Sequence, residues 1–276
     1  MAKRWFLVAI FITDLDGTLL APYNTLSKEG VEVIQKARQL GHSVYFATGR
    51  NYNQVSPILI KYGLEIDGII CLNGAYVKEV LEHPLPLDFY STLKQYIPSS
   101  FKITCHTLDR VYQRMSIKQK CKQVIKVILR YGDYRYRTAL SKLDDQSQIY
   151  KVEIQSSDLM AVKQLYQTLQ LLFKNQVNIV LGSRDNIEIT ALKASKLDAI
   201  IELMEMNHYL KEEIYVFGDS GNDASMLEYF ENSYAPVSAM ECAKKVAQHT
   251  CLDPKQDGVI QIIKQVIDQE RKYKNE

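Results

Sequence analysis

The 276-residue sequence lacks several features that would place it in a specialised class of protein. Its five cysteines lie far apart without a CxxC pair, which argues against zinc and redox motifs and favours reduced thiols. Lys and Arg number 34 against 32 Asp and Glu, so no basic excess indicates nucleic-acid binding. No run of about 18 apolar residues is long enough for a membrane span. We therefore expect a cytoplasmic protein without nucleic-acid or membrane partners. We also expect a monomer or homodimer, although these features do not decide between the two.

The N-terminal segment MAKRWFLVAIFI has two interpretations. Lys3 and Arg4 before an apolar run are typical of a secretory signal peptide. A signal peptide would continue to a cleavage site with small residues, whereas this run leads directly to Asp14 and Asp16. We predict a buried strand, because cleavage near this point would destroy the most informative motif of the chain.

Short runs of β-branched and aromatic residues alternate with stretches of helical periodicity, which indicates βαβ units and a parallel sheet. After the first strand, the spacing predicts a helix from Ser27 to Leu40 with Ser27 as its N-cap. HSVYFATGR and DGIICLNGAYV predict two further strands. The pattern resumes later with the strand EIYVFGD, the helix NDASMLEYF and a last helix from about Val259. The sequence therefore predicts a Rossmann-like, doubly wound α/β core.

Between about Val80 and Arg184 the composition changes, with three prolines and many tyrosines. This segment predicts helices at about 88–97, 117–131 and 157–173, and strands at FKITCHT, QIYKVEIQ and VNIVLG. Such a mixture indicates a small α+β domain inserted into the core. The predicted division is 1–80 for the first part of the core, 81–184 for the inserted cap domain and 185–276 for the second part of the core.

Two aspartates, Asp14 and Asp16, follow the first predicted strand in FITDLDGTLL. The carboxyl ends of parallel strands face the crevice where such sheets bind ligands, and alternation along a strand would point both side chains the same way. Two like charges so close are costly unless a proton or a cation lies between them, and Mg²⁺ prefers oxygen ligands. Aspartate can also act as a nucleophile and form an aspartyl-phosphate. The motif alone is also compatible with an Asx-rich turn.

Three later segments offer polar groups to the same crevice. GDSGND follows a second apolar strand with three carboxylate or amide side chains. FATGR ends another strand with a hydroxyl and backbone N–H groups that suit phosphoryl oxygens. A lysine near the start of a helix can supply a cation for the same oxygens. The candidate residues are Thr48, Gly49, Lys196, Asp219, Asn222 and Asp223.

The segments DLDGT, FATGR, SK and GDSGND resemble, in order and placement, the four motifs of the haloacid dehalogenase superfamily. The position of the insertion, together with CLNGA and QDGV, resembles the Cof-like phosphatases of subfamily IIB, which carry a C2B-type cap. The resemblance spans essentially the whole chain, although the cap matches only in position and size. It implies a Mg²⁺-dependent phosphatase of small phosphorylated metabolites such as sugar phosphates, pyridoxal phosphate or flavin mononucleotide.

The resemblance implies a role for each matching residue. Asp14 would attack phosphorus, and Asp16 would protonate the leaving oxygen and later activate water. The Asp14 carboxylate, the Asp16 main-chain carbonyl and Asp219 would bind Mg²⁺, with Asp223 as a direct or outer ligand. The other candidates are Thr48, Gly49, Lys196 and Asn222 for the phosphoryl group and Arg50, Asn73 and Arg184 for the rest of the substrate.

The sequence departs from the family pattern in two places. Leu197 follows the motif lysine where the family usually has Gly, and Lys193 is an alternative to Lys196. Ser238 and Ala239 stand where Gly and Asn are expected, next to the metal motif. Two other functions stay open: a hexose-phosphate mutase or other phosphotransferase, which returns the phosphoryl group to a sugar, and a non-catalytic binder of phosphorylated metabolites.

Overall fold

A computed structural model of the chain describes residues 8–114, 137–140, 143 and 147–275. Within these residues the strands form two sheets. The strands of the first sheet are β1 (Ile10–Thr13), β2 (Ser43–Ala47), β3 (Gly68–Cys71), β4 (Tyr76–Val77), β5 (Leu81–Glu82), β12 (Ile214–Phe217), β13 (Asn232–Pro236) and β14 (His249–Cys251). Those of the second are β6 (Lys102–His106), β7 (Val111–Gln113), β8 (Arg137–Ala139), β9 (Lys151–Gln155), β10 (Val177–Ser183) and β11 (Asn186–Ala191).

Helices connect these strands throughout the described residues. They are α1 (Lys28–Gln39), α2 (Tyr52–Tyr62), α3 (Phe89–Leu93), α4 (Leu159–Phe173), α5 (Lys196–Asn207), α6 (Ala224–Tyr229), α7 (Glu241–Val246) and α8 (Gly258–Asn275). The predicted N-cap of α1 is confirmed, because Ser27 Oγ accepts a hydrogen bond of 2.8 Å from the N–H of Gly30. None of the described helices is long and apolar enough to cross a membrane.

The first sheet has the order β14-β13-β12-β1-β2-β3-β4-β5 and is parallel from β14 to β3. The chain proceeds outward from β1 to β2 and β3, and later returns to the other side of β1 with β12. This reversal opens a crevice at the carboxyl ends of β1, β2 and β12, where such sheets bind ligands. The predicted doubly wound core is therefore confirmed.

Helices cover both faces of this sheet. α1, α2 and α8 pack on the face that carries Phe11 and Phe46, and α5, α6 and α7 pack on the face that carries Ile12 and Val216. Burial on both faces explains why β1 has the apolar sequence IFIT instead of alternating apolar and polar residues. The predicted strand in the N-terminal apolar run is thus found at Ile10–Thr13, and residues 1–7 lie outside the described part of the chain.

The second sheet has the order β10-β11-β9-β6-β7-β8 and is antiparallel except between β7 and β8. Its two faces differ in chemistry. One face is apolar and packs against α3 and α4. It carries the odd-numbered residues of β6 and β11, such as Ile103 and Ile187, and the even-numbered residues of β9, such as Val152. The alternate residues are polar and point to the edge of the first sheet where β1, β2 and β12 end.

Some predicted boundaries are wrong. The helix predicted at 88–97 ends at Leu93, because the N–H groups of Gln95 and Tyr96 bond to the carbonyls three residues back instead of four. The predicted domain boundary after 184 separates β10 from β11, yet β11 pairs with both β10 and β9 and belongs to the second sheet. The rest of the division 1–80, 81–184 and 185–276 stays a prediction. The helix predicted at 117–131 lies outside the described residues.

Candidate active site

A cleft of about 600 Å³ lies between the carboxyl edge of the first sheet and the polar face of the second. Asp14, Thr48 and Asp219 reach it because each stands just after a strand of the first sheet. Three other predicted residues lie buried beneath the cleft: Asn73, Lys196 and Asp223. The predicted residues that line it are Asp14, Asp16, Thr48, Gly49, Arg50, Arg184, Asp219 and Asn222.

Lys196 joins two carboxylates at the floor of the cleft. Its Nζ donates hydrogen bonds of 2.6 Å to Asp14 Oδ1 and 2.6 Å to Asp223 Oδ1, and the side chain is 0% exposed. Ser195 fixes its position, since it is the N-cap of α5 and Lys196 is the first residue of that helix. Lys193 is exposed. The structure therefore brings Lys196, and not Lys193, to the predicted site.

Three carboxylates, those of Asp14, Asp219 and Asp223, place one oxygen each within 4.8 Å of one another. The Asp223 side chain is held by the loop that precedes it, because its Oδ2 accepts hydrogen bonds of 3.0 Å from the N–H groups of both Asp219 and Ser220. Thr18 donates a hydrogen bond of 3.2 Å to Asp219 Oδ1. The loops after β1 and β12 thus hold the cluster from two sides.

The charges of this cluster are not balanced by the protein. Burial raises the pKa of Asp14 well above its usual value; Lys196 opposes this rise, and Asp223 and Asp219 add to it. Burial and the neighbouring Asp223 raise the pKa of Asp219 to about 7. Burial lowers the pKa of Lys196, but Asp14 and Asp223 outweigh it and raise the value overall. One ammonium faces three carboxylates, so the cluster favours a further cation.

Asp16 lies in a different environment from Asp14. Its side chain is 59% exposed and accepts two hydrogen bonds from the Arg50 guanidinium, one of 2.6 Å from Nε to Oδ2 and one from Nη2 to Oδ1. The Asp16 carboxylate therefore binds the Arg50 guanidinium, and it is not among the three carboxylates of the acidic cluster. The predicted role of the Asp16 main-chain carbonyl stays a prediction.

For the phosphatase activity that the motif resemblance implies, replacing Arg50 by Met is expected to lower kcat about tenfold, because Asp16 loses the guanidinium that orients its carboxylate. Steady-state kinetics of phosphate release measure this effect. Arg38 offers a matched control, since it makes a similar two-nitrogen contact with Asp67 on the exposed surface. Equal kinetics for Arg50→Met and Arg38→Met would show that the Arg50 contact does not support turnover.

The phosphate-binding candidates Thr48 and Gly49 form a tight loop after β2. Thr48 is buried, and its Oγ1 accepts a hydrogen bond of 3.2 Å from the N–H of Arg50. A Cβ on Gly49 would lie 2.7 Å from Nζ of Lys151, so only glycine fits this position without displacing the lysine. The absence of a side chain at Gly49 therefore lets Lys151 of the second sheet approach this loop closely.

Four residues of the second sheet were missed by the sequence analysis: His106, Lys151, Glu153 and Glu188. Lys151 Nζ lies 2.8 Å from Glu153 Oε1 and 2.8 Å from Glu188 Oε1. Although burial raises the pKa of Glu153, Lys151 and His106 lower it well below its usual value overall. The alternation in QIYKVEIQ, which puts Lys151 and Glu153 on one face, was the signal available in the sequence.

Two predicted substrate contacts differ in position. Arg184 lies in the turn between β10 and β11 and lines the cleft. Asn73 is buried beneath it, and its Nδ2 donates a hydrogen bond of 2.7 Å to Glu188 Oε2. Asn222 Nδ2 donates to the same Glu188 oxygen, at 2.9 Å. The side chain of Asn73 is therefore engaged by protein groups.

The turn that departs from the family pattern is held by Asp253. Ser238 donates hydrogen bonds to Asp253 Oδ1 from its N–H, at 2.9 Å, and from its Oγ, at 2.6 Å. The N–H of Met240 donates to the carbonyl of Asp219, at 2.7 Å. This turn therefore supports the acidic loop without Gly and Asn at positions 238 and 239.

Residues 11–263 match the family described as haloacid dehalogenase-like hydrolase, so the match runs through both sheets and the cleft between them. The chain belongs to the haloacid dehalogenase-like hydrolase family. The resemblance inferred from the four motifs is thereby confirmed, and the protein is a hydrolase of this family.

Individual members of the family support this assignment. The chain is 26% identical to the pyridoxal phosphate phosphatase YbhA of Escherichia coli, over 92% of this chain and 97% of the relative. A haloacid dehalogenase-like hydrolase from B. subtilis superposes with a TM-score of 0.81 at 22% identity, covering 93% of this chain and 99% of that one. The subclass IIB sugar phosphatase BT4131 superposes with a TM-score of 0.73 at 20% identity, covering 94% and 99%. The fold is that of subclass IIB with its inserted cap.

Proposed function

We propose that the protein is a Mg²⁺-dependent phosphatase that hydrolyses small phosphorylated metabolites through an aspartyl-phosphate on Asp14. The observation that carries this proposal is the placement of Asp14 at the floor of the cleft, bonded to Lys196 and next to Asp219 and Asp223. The lysine keeps one Asp14 oxygen engaged, so the other oxygen is the group that attacks phosphorus.

The neighbouring residues supply positions and charges for such a transfer. Lys196, the Thr48 hydroxyl and the loop at Gly49 would hold the phosphoryl oxygens, where phosphoryl transfer needs positioning and charge neutralisation. Asp16, oriented by Arg50, would donate a proton to the leaving oxygen as the bond to phosphorus breaks. The same carboxylate would then take a proton from the water that hydrolyses the aspartyl-phosphate and restores Asp14.

The acidic cluster fits a magnesium ion. Its three carboxylates provide hard oxygen ligands close together, and one lysine does not neutralise them. Asp14 and Asp219 would bind the ion. Asp223 accepts hydrogen bonds from Lys196 and from the N–H of Asp219, so it would hold the Asp219 backbone in position. When bound, Mg²⁺ offsets negative charge on the phosphoryl oxygens.

The size and the lining of the cleft favour a substrate with a small and polar leaving group. A volume of about 600 Å³ lies within the range of metabolite-sized sites. On the polar face of the second sheet, Nδ1 of His106 and Oδ1 of Asn186 are buried without a hydrogen-bond partner in the described part of the chain, while Nε2 of His106 lies 3.4 Å from Glu153 Oε1. Hydroxyl or carbonyl groups of a leaving group would satisfy them. The relative named pyridoxal phosphate phosphatase and the structure named sugar phosphatase supply two ester classes for testing.

Free phosphate release from sugar phosphates, pyridoxal phosphate and flavin mononucleotide, with Mg²⁺ or with EDTA, tests the proposal. We expect release that requires Mg²⁺ and that falls below detection in Asp14→Asn, because the amide is not a competent nucleophile. Asp88→Asn is the matched control, since Asp88 is exposed beside α3 and should release phosphate as the wild type does.

Other outcomes would contradict the proposal. A wild-type protein that binds these esters without releasing phosphate would be a binder and not a phosphatase. Accumulation of phosphorylated enzyme that passes its phosphoryl group to a sugar, with little free phosphate, would indicate a phosphotransferase instead. Release that persists in Asp14→Asn would exclude Asp14 as the nucleophile.

A further inference from the structure

Three charged residues of the second sheet contact one another on its cleft side: Lys151 and Glu188, which are buried, and Glu153, which is partly exposed. Glu153 on β9 stands directly opposite Glu188 on β11 in the strand register. Like charges in such a pair repel each other. Lys151 Nζ lies 2.8 Å from Oε1 of each glutamate and is 1% exposed, so the lysine compensates both charges.

Lys151 and Glu188 also reach across the cleft edge to the first sheet. Lys151 Nζ donates a hydrogen bond of 3.1 Å to the main-chain carbonyl of Gly49. Glu188 Oε2 accepts hydrogen bonds from Asn73 Nδ2, at 2.7 Å, and from Asn222 Nδ2, at 2.9 Å. These three partners stand after β2, β3 and β12 respectively. Two side chains of the second sheet thus hold three loops of the first.

The contact with Gly49 fixes a peptide group at both of its ends. Lys151 binds the carbonyl of the peptide that joins Gly49 to Arg50, and the N–H of the same peptide donates to Thr48 Oγ1, at 3.2 Å. The orientation of this peptide therefore sets the Thr48 hydroxyl and the start of the Arg50 side chain, which holds Asp16.

We propose that Lys151 and Glu188 are positioning residues that form a clamp between the two sheets and align the loops of the site. This inference rests on the proposed phosphatase function. The clamp, defined as Lys151, Glu188 and their contacts with Gly49, Asn73 and Asn222, acts through Thr48, Arg50 and Asn222. It does not require contact with the substrate.

Fold stability alone does not account for these charges. Well-packed apolar residues commonly replace a buried ion pair without loss of stability, because removing charges from water is costly. Here the charged atoms end on the loops that carry the phosphate-binding candidates and the acidic motif. The contacts therefore favour a role in alignment.

Lys151→Met and Glu188→Gln test the clamp, each assayed for kcat, KM and backbone hydrogen exchange. In both variants we expect kcat to fall about tenfold or more, because small displacements of reacting groups have effects of this size, while KM changes less than about threefold. Amide exchange at 48–51 and 219–223 should become about tenfold faster, whereas exchange in β1 and β12 should match the wild type.

Two controls use the same chemical changes away from the clamp. Lys163 is exposed on α4, and Glu205 is exposed on α5. Lys163→Met and Glu205→Gln should keep kcat and the exchange of both loops within about twofold of the wild type, as surface substitutions usually do.

The remaining outcomes separate this proposal from the function on which it rests. Unchanged kcat in Lys151→Met and Glu188→Gln overturns the clamp, and so does a lower kcat with unchanged loop exchange, because the residues would then act on the substrate directly. If the wild type releases no phosphate from any ester, the phosphatase proposal fails, and the exchange data alone then support or overturn the clamp. If Glu188→Gln does not fold, Glu188→Asp keeps the charge beside Lys151 but shortens the reach to both asparagines.

Discussion

Lys196→Met is expected to lower turnover by about 10²-fold or more and to destabilise the fold by about 3–5 kcal/mol. The loss of turnover follows because, in the proposed reaction, the phosphoryl oxygens lose the buried cation beside Asp14. The loss of stability follows because Asp14 and Asp223 keep their buried carboxylates without the ammonium that joins them. Phosphate release gives the first quantity, and urea unfolding without Mg²⁺ gives the free energy of unfolding.

Lys193→Met is the matched control for this variant. Lys193 stands three residues earlier and is exposed, so its loss should change turnover less than twofold and stability by less than about 0.5 kcal/mol. If Lys193→Met loses turnover and Lys196→Met keeps it, the assignment of the motif lysine is wrong.

Gly17→Ala is expected to abolish most of the Mg²⁺-dependent phosphatase activity that we propose. A Cβ on Gly17 would lie 2.6 Å from Asp219 Oδ2, so Asp219 would have to leave its place in the acidic cluster. We expect turnover to fall about tenfold or more and the Mg²⁺ concentration for half-maximal activity to rise about tenfold. A magnesium titration of phosphate release measures both effects.

Gly41→Ala separates the clash from the cost of the backbone conformation. Gly41 has a φ of +92°, close to the +86° of Gly17, but no atom lies within 4 Å of the position that its Cβ would take. Both variants should lose about 1–2 kcal/mol of stability, since a left-handed conformation is strained for alanine. Only Gly17→Ala should change the magnesium titration. If both variants needed the same Mg²⁺ concentration for half-maximal activity, Gly17 would be required only for its backbone conformation and not for space beside Asp219.

The sequence was sufficient to predict that several candidate residues meet at one edge of the first sheet, because they follow strand ends. Asp14, Thr48 and Asp219 each come directly after an apolar run, and a parallel sheet brings such positions to one edge. The environment of Asp16 could not be predicted in this way. The strand ends one residue before Asp14, and the turn at Gly17 sends the next carboxylate towards Arg50.

The contribution of the second sheet was missed for a different reason. Lys151 and Glu188 are 37 positions apart and belong to none of the four motifs, so their contact exists only through strand pairing. Alternation indicated which residues share a face, but not that this face meets the loops after β2, β3 and β12. The boundary after 184 was misplaced because the turn at Arg184 and Asp185 breaks the pattern inside a hairpin.

The alternation of the second sheet has a consequence for how such a protein can diverge. Along each strand, residues that pack in the core of this sheet alternate with residues that face the cleft. Ile103 and Val152 belong to the first set, and Thr104 and His106 belong to the second. A substitution at a cleft-facing position outside the clamp of Lys151 and Glu188 changes the groups offered to a leaving group and leaves the apolar packing beneath it intact. A descendant of this chain could therefore acquire a new substrate while inheriting both the fold and the reaction unchanged.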